Sequence, residues 1–570
     1  MKEKEYFQDI IAYIKKNKPD KDKIARYKVR LCKKHSVKEI PTDIKILLNA
    51  PKKDLSKIKK YLLTKPTRTI SGVAVIAIMS KPYPCPHGKC RMCPGGVDST
   101  FGSVPQSYTG KEPAARRAIR NKYNPYLQVM NRLEQYVVTG HMPEKVELII
   151  MGGTFPSYNK IYRDNFVKHA LKAMNDFSKL FFKAKKKGSK KQEIDIIAFK
   201  KFFELPGDIY DKKREASIKK KLLALKKKGK QALKQIQKEN EIVAIRCIGM
   251  TQETRPDFGM LKHGNEMLRL GTTRVELGIQ SVYDSALKRI GRGHTVKDNI
   301  KSIAILKDLG FKLNFHMMPG LPGVTPEMDV DGLIRLFEDE NYMPDMLKIY
   351  PCMVLKGTKL YQTWKRGKYK PLTTKQAAEI IAEFKQYVPS WCRIMRVQRD
   401  IPVQMIEAGV DKTNLRQYVQ KLMDEYGIKC QCIRCREIGR AVKKIGKVHC
   451  IVRHYSASGG NEFFISAETK NNILGFCRLR FPKQFLRKEI TPNSALIREL
   501  HVYGSTVAIG KKGRKKGQHV GIGKKLMSIA EEICRTYYKD KIVVISGIGV
   551  REYYKKLGYR KEGSYMVKKV

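Results

Sequence analysis

Three groups of residues in this 570-residue chain have types and spacing suited to chemistry. Cys85, Cys90 and Cys93 follow one another as C-x4-C-x2-C in a loop rich in proline and glycine. Soft thiolates so placed can converge on one metal centre, zinc or an iron–sulfur cluster. Structural zinc is closed by four ligands, and His87 is the available fourth here. A [4Fe–4S] cluster held by three thiolates instead leaves one iron open to substrate. Cys430, Cys432 and Cys435 form C-x-C-x2-C. That spacing suits structural zinc, with a second iron–sulfur cluster as the alternative. The fourth ligand is not evident: Cys450, His449, His454 and Cys352 are candidates, and Cys450 leads on residue type. The third group, Gln518-His519-Val520-Gly521-Ile522-Gly523-Lys524, reads Q-x-x-G-x-G and opens an apolar-periodic helix. Free N–H groups and the positive helix end together cradle a pyrophosphate.

These groups need elements to hold them. Apolar, β-branched runs at 72–79, 146–151, 242–248, 274–279, 312–318 and 346–350 predict buried strands, with amphipathic helices between them. That alternation predicts an α/β fold with a parallel sheet of about six strands. The cysteine loop follows the first strand. Gly152 and Gly153 end the second, Glu253, Arg255 and Asp257 the third, and Glu276 and Gln280 flank the end of the fourth. Strand C-termini are where barrel-like α/β folds place their chemistry. Residues 183–234 interrupt the rhythm with lysine runs and read as an inserted basic helical hairpin on the surface. Residues 1–69 read as a basic helical extension that binds nucleic acid, 70–365 as the sheet domain, 366–447 as a linker and 448–570 as a second domain. In the last, strands at 495–502 and 541–546 flank the Gly-rich loop, and Tyr553 and Tyr554 follow.

Lys and Arg number 116 against 54 Asp and Glu, a formal net charge of +62. Such an excess excludes a neutral metabolic enzyme as the default. It points to a polyanion partner, nucleic acid ahead of an anionic membrane surface. No stretch approaches the ~18 consecutive apolar residues of a membrane span. Charges interrupt the opening MKEKEYFQDIIAYIKK, so no secretory signal is expected and the reading is cytoplasmic. Thirteen cysteines are too sparse for a disulfide scaffold, and their clustering suggests metal. Monomer and homodimer both stay open.

The cysteine loop resembles that of the radical S-adenosylmethionine (SAM) enzymes, whose usual spacing is one residue shorter, C-x3-C-x2-C. The Gly-rich loop resembles the acetyl-CoA loop of the GNAT acetyltransferases. Together with the stretches from Cys90 to Gly96, Met151 to Phe155, Glu253 to Asp257, Leu496 to Gly504 and Ser546 to Arg551, they resemble the catalytic subunit of Elongator in its single-protein form. The resemblance covers about residues 70–180 and 240–570. It implies a partial (β/α)6 radical SAM barrel plus a C-terminal GNAT α+β domain, joined by a zinc-binding linker. It implies a [4Fe–4S] cluster on Cys85, Cys90 and Cys93. SAM would bind at Gly152, Gly153, Thr154, Glu276 and Gln280. Acetyl-CoA, the cosubstrate, would lie along Glu499, Leu500, His501 and Val502, with its pyrophosphate at Gln518, Gly521, Ile522, Gly523 and Lys524. Lys160 would reach it from the radical domain, and Tyr553 and Tyr554 would stand near the thioester. The implied partners are the tRNA anticodon stem-loop and an unidentified electron donor. The implied reaction is carboxymethyl-type modification at carbon 5 of the wobble uridine, begun by a 5′-deoxyadenosyl radical that activates the acetyl methyl group. The rival reading is a protein lysine acetyltransferase with a structural cluster and Glu499 as general base.

Overall fold

A computed structural model describes residues 2–64, 69, 71–183, 192–208, 210–438, 446–503 and 521–570. Its first sheet has seven parallel strands in chain order: β1 (Ala74–Met79), β2 (Lys145–Met151), β3 (Arg246–Thr254), β4 (Arg274–Gln280), β5 (Lys312–Met317), β6 (Met346–Ile349) and β8 (Arg393–Arg396). Side chains alternate across a strand, so β2 buries Val146, Leu148 and Ile150 against helices Pro125–Val138 and Lys160–Phe181. The opposite face looks inward. Among the described residues β1 and β8 do not pair, so the sheet is a half-barrel with an open side.

All six expected strands are present, with two corrections. The third begins at Arg246 and runs on through Gln252, Glu253 and Thr254, all buried. Of these polar residues Glu253 and Thr254 line the interior of the sheet, and Gln252 donates to Thr272 Oγ1 (2.7 Å). The seventh strand comes from the stretch assigned to the linker. It is four residues long, with Ile394 its one buried side chain, which is too little to register as a period. A two-stranded ribbon, β7 (Val354–Leu355) with β9 (Ile406–Ala408), lies beside the cysteine loop.

The basic insertion is helical as expected (Ile196–Phe202, Lys212–Lys227, Leu233–Asn240), but it is not only surface. Phe199 and Phe203 are fully buried against Phe177 and Phe181. Asn240 donates to Asn175 Oδ1 (2.7 Å) and accepts from the Cys247 N–H (2.8 Å), tying the insertion to β3. Lys185, Lys186 and Lys187 lie outside the described residues. Four N-terminal helices (Lys2–Asn17, Lys21–His35, Asp43–Asn49, Lys52–Leu62) enclose their own core, in which Ile10, Ile11 and Ile14 are buried as their spacing requires. No helix among the described residues is long and apolar enough to cross a membrane.

The second sheet contains β10 (His449–Ala457), β11 (Gly460–Glu468), β12 (Ile473–Phe481), β13 (Ser494–Val502), β14 (Lys541–Val544), β15 (Arg560–Glu562) and β16 (Tyr565–Lys569), in the order β10-β11-β12-β13-β14-β16-β15. Only β13 and β14 run parallel. One apolar core runs unbroken from Leu313 and Phe315 of the half-barrel to Leu496, Val543 and Val567 of this sheet. Fully buried ions cross the same boundary. Arg498 donates to both oxygens of Asp345 (2.8 and 2.6 Å), and Arg480 to Asp308 (2.8 Å). Glu462 accepts from both arginines.

Removing one member of such a set leaves a buried charge unpaired, at a cost of about 3–5 kcal/mol. Arg498→Met should lower the full chain's stability by that amount in urea unfolding. Burial alone would raise the Asp345 carboxyl, but Arg498 and Arg478 hold it below the usual carboxylate range. Its contribution is therefore complete above the unfolded value near ~4 and is lost as pH falls through the lower folded value. The thermal midpoint should drop below pH ~4, and less steeply in Asp345→Asn.

Candidate active site

The inward side chains of the half-barrel line a cavity of about 600 Å³. Every strand contributes: Ala77, Met151, Glu253, Glu276, His316, Lys348 and Arg396. Cys85, Cys90 and Cys93 close its C-terminal end. The expected convergence of loop and strand ends is therefore present.

Around the thiols the donor set is cationic. Arg255 Nη1 stands 3.8 Å from Cys85 Sγ, and Arg292 Nη1 stands 3.7 Å from Cys90 Sγ. The Ser107 N–H donates to Cys93 Sγ (3.2 Å). Burial pushes the Cys85 thiol up, and Arg255 and Arg292 pull the other way. Arg255 is fixed by Asp257 (2.9 and 2.8 Å) and Arg292 by the Gly278 carbonyl (2.9 Å). His87 lies between Cys85 Sγ (3.0 Å) and Cys90 Sγ (3.1 Å). Ligands of one zinc at ~2.3 Å stand about 3.8 Å apart. Among the described residues, only Cys430, Cys432 and Cys435 bring their ligand atoms within 4.8 Å of one another. The wider set of the loop, with two arginines beside it, fits an anionic cluster that spreads its thiolates over separate irons.

Gly152 and Gly153 have φ of 129° and 91°, where other residues are strained. A side chain at Gly152 would also stand 2.2 Å from Ser80 Oγ. The Gly152 N–H donates to Glu253 (3.2 Å), whose two oxygens accept from Tyr108 (3.0 Å each). Burial and the neighbouring Glu276 raise Glu253. Glu276 accepts from His316 (3.1 Å), Asn314 (3.2 Å) and Lys348. Burial would raise Glu276, but Lys348 and His316 hold it well below the usual carboxylate range. Burial, then Lys348, lowers His316 to about 4, so it is neutral at pH 7. Gly153, Thr154, Glu276 and Gln280 line the cavity, and Gly152 is not in its wall. Tyr108, Arg292, His316, Lys348 and Arg399 were missed. His316 and Lys348 carried a signal, each a polar residue inside an apolar parallel strand.

In the second domain, helix Ile522–Thr536 starts at Gly521 (φ 106°), and its first turn presents Ile522, Gly523 and Lys524. Gln518 lies outside the described residues. A side chain at Gly523 would stand 3.0 Å from Tyr553 Oη, so Tyr553 abuts the helix start. Tyr554 is instead buried in the domain core. Lys160 opens helix Lys160–Phe181, is largely exposed and pairs with Asp164 (2.8 Å). It is not part of the cavity wall.

The linker thiols form their group without any expected fourth ligand. Cys450 is exposed on the edge strand β10, opposite Ala467, and is not within 4.8 Å of all three thiols. His449 is exposed at the start of the same strand, and His454 bonds Asn461 (2.9 Å). Cys352 is buried with Cys90 and Cys93. The nearby buried thiol is Cys392, whose carbonyl accepts from the Ile433 N–H (2.9 Å). Hydrogen bonds from Cys430 and Cys435 draw the Cys432 thiol well below its ordinary range, and Lys385 Nζ lies 3.7 Å from Cys435 Sγ. This donor set fits one thiophilic ion.

The two cysteine groups should separate on metal analysis after anaerobic reconstitution. Cys90→Ser should lose most of its iron while keeping its fold, and Cys432→Ser should keep its iron. Equal iron in Cys90→Ser and the parent chain would refute the loop as the cluster site.

Comparison with known proteins extends this geometry to the whole chain. Residues 4–70 match the ELP3 N-terminal domain, 81–334 the Radical SAM superfamily and 344–425 the Radical_SAM C-terminal domain. The chain is 44% identical to the tRNA uridine(34) acetyltransferase of Methanocaldococcus jannaschii over 560 residues, 96% of this chain and 94% of the relative. It is 38% identical to human Elongator complex protein 3 over 558 residues, 95% and 92% of the two chains. The solved structure of Methanocaldococcus infernus Elp3 with an N-terminal deletion (1–46) matches with a TM-score of 0.69 at 39% identity, over 88% of this chain and 100% of that one. Similarity at this level runs through the extension, the half-barrel and the C-terminal sheet alike, so the chain belongs to the family of Elongator complex protein 3 and the tRNA uridine(34) acetyltransferases.

Proposed function

We propose that this chain is a radical SAM acetyltransferase that builds a carboxymethyl-type group on carbon 5 of the wobble uridine of tRNA, with acetyl-CoA as carbon donor. The observation that carries the reading is a three-thiol loop flanked by arginines, in a domain locked onto a second domain with a glycine-started helix. Carbon 5 of uracil is a poor electrophile toward an acetyl donor, so acid–base groups alone do not make the bond. With SAM, the cluster supplies a 5′-deoxyadenosyl radical able to take a hydrogen from the acetyl methyl group.

The chain's own residues position, bind and exclude water. Cys85, Cys90 and Cys93 would hold the cluster, with Arg255 and Arg292 offsetting its negative charge. Gly152 and Gly153 allow close backbone approach to SAM, and Thr154, Glu276 and Gln280 supply polar contacts to its amino acid and ribose. Glu499, Leu500, His501 and Val502 run along the pantetheine, and Ile522, Gly523 and Lys524 meet the pyrophosphate. Tyr553, at the helix start, is better placed for CoA than the buried Tyr554. Lys160 contacts CoA from the surface. The wobble base must leave its stack to enter a buried cavity, and the net charge of +62 suits the anticodon backbone. Zinc at Cys430, Cys432 and Cys435 clamps the linker. A tRNA substrate and soluble cosubstrates place the work in the cytoplasm.

One observation weighs against the lysine acetyltransferase reading. Its candidate base, Glu499, would be raised by burial, but Lys312 and Arg478 hold it below the usual carboxylate range. A carboxylate already paired at 3.0 Å with Arg478 is a weak base.

The test is an anaerobic incubation of the reconstituted full chain with tRNA, acetyl-CoA, SAM and dithionite, followed by mass analysis of anticodon nucleosides. A modified uridine that needs every component, and that Cys90→Ser does not form, is expected. Acetylated lysine in a protein acceptor, formed equally by Cys90→Ser, would support the rival. tRNA should also stimulate CoA release from acetyl-CoA more than ~10-fold, about 1.4 kcal/mol of barrier, and Lys160→Ala should change that ratio.

A further inference from the structure

The cavity does not stop at the cysteine end. Its wall includes the whole inward face of β4 from Gln280 down to Arg274, a span of about 20 Å at the usual strand rise. It also includes Glu147 on β2 and Ala77 and Val75 on β1. Burial along the strands agrees: in β2 the inward residues Glu147, Ile149 and Met151 are only half-buried, and their outward neighbours are fully buried. The half-barrel is thus hollow from its C-terminal rim to its N-terminal end. There Arg274 Nη1 pairs with Glu147 (2.5 Å), while Arg274 Nε is buried without a partner.

The N-terminal end faces β13. A register shift opposite Arg478 and Leu479 inserts one extra residue in β13 between Ile497 and Glu499. Such a bulge re-aims the side chains beyond it. Arg498 then reaches the Phe311 carbonyl (2.7 Å), and Glu499 lies 3.7 Å from Lys312, the first residue of β5. His501, two residues on, feels the charges of Lys312 and Glu147. The strand proposed to carry the pantetheine therefore lies under the hollow of the half-barrel. The domains cannot close the remaining distance by a hinge. Asp345, Asp308, Arg480 and Arg498 are fully buried between them, and parting them would strand those charges.

We infer that the acyl arm of acetyl-CoA enters the half-barrel from its N-terminal end, past Glu147 and Arg274, and meets the reaction centre inside. This rests on the acetyl-CoA reading above. With both domains fixed, the flexible arm is the part that moves. Amides of that arm lose water on entry and need partners inside. The carboxylate of Glu147 and the spare donor of Arg274 supply an acceptor and a donor at the threshold.

The experiment uses a CoA thioester with a short diazirine acyl chain, irradiated with the reconstituted full chain, and peptide mapping of the label. Label on residues 74–79 or 145–151 is expected. Label confined to residues 446–570 or to the outer surface overturns the route. Ala77→Trp narrows the hollow and should cut barrel labelling at least tenfold while its iron content stays at the parent level. Ile149→Phe replaces it should that variant not fold. Undiminished barrel labelling in a folded, narrowed variant also overturns the route. The two readings fail separately. Barrel labelling without any modified uridine would refute the reaction and keep the route, and modified uridine without barrel labelling would refute the route alone.

Discussion

The pairing of Asp345 with Arg498 is the constraint on which the rest of the molecule depends. Both are fully buried, one just before β6 and the other on β13, and both terminal nitrogens of the guanidinium donate to the carboxylate. Arg478, Arg480, Asp308, Glu462 and Glu499 extend the set. Such ions add little net stability, because desolvation offsets most of their attraction. Their effect is specificity: only one docking of the two sheets satisfies all of them. The apolar core that crosses the same boundary supplies the burial energy, and the ions select the register.

Fixed docking decides how two chemistries can meet. A hinged pair of domains could bring its sites together by closing. This pair cannot, so a substrate must bridge them. The half-barrel is polar where bridging is needed. Glu276 takes hydrogen bonds from Lys348, His316 and Asn314, which hold it ionised. Glu253, beside it, has Tyr108 and a backbone N–H and is pushed the other way. Two neighbouring carboxyls are thus pushed in opposite directions, Glu276 down by Lys348 and His316 and Glu253 up by burial and by Glu276.

The two cysteine groups show how similar spacing serves different ends. In the linker, two residues of separation and a short helix at Ile433–Arg436 bring three thiols within 4.8 Å. In the loop after β1 the thiols stand farther apart, with Arg255 beside Cys85 and Arg292 beside Cys90. The linker is not remote from the reaction chamber. Arg434, between Cys432 and Cys435, lines the same cavity as the loop cysteines, so an ion that fixes this turn also fixes an arginine at the cavity wall.

Local pattern carried the larger part of the fold. Six β-branched runs announced six parallel strands, because strands buried on both faces need continuous apolar residues. The cysteine and glycine motifs, the glycine pair after β2 and the charged residues around the end of β3 were legible for the same reason: each is a short-range requirement of backbone or ligand geometry. Arg393–Arg396 as a strand was not legible, since its pairing with β6 comes from the sheet edge and not from four residues of sequence. Phe199 and Phe203 as core were hidden among lysines. Cys450, exposed on β10, does not join the three linker thiols. His316, Lys348 and the Glu147–Arg274 pair acquired meaning only when strands far apart in the chain were brought side by side. The sequence by itself determined which residues could do chemistry and which elements would carry them. Tertiary structure alone decided which of them share a cavity, because distances between strands, and the buried charges that lock two sheets together, depend on contacts that no local pattern encodes.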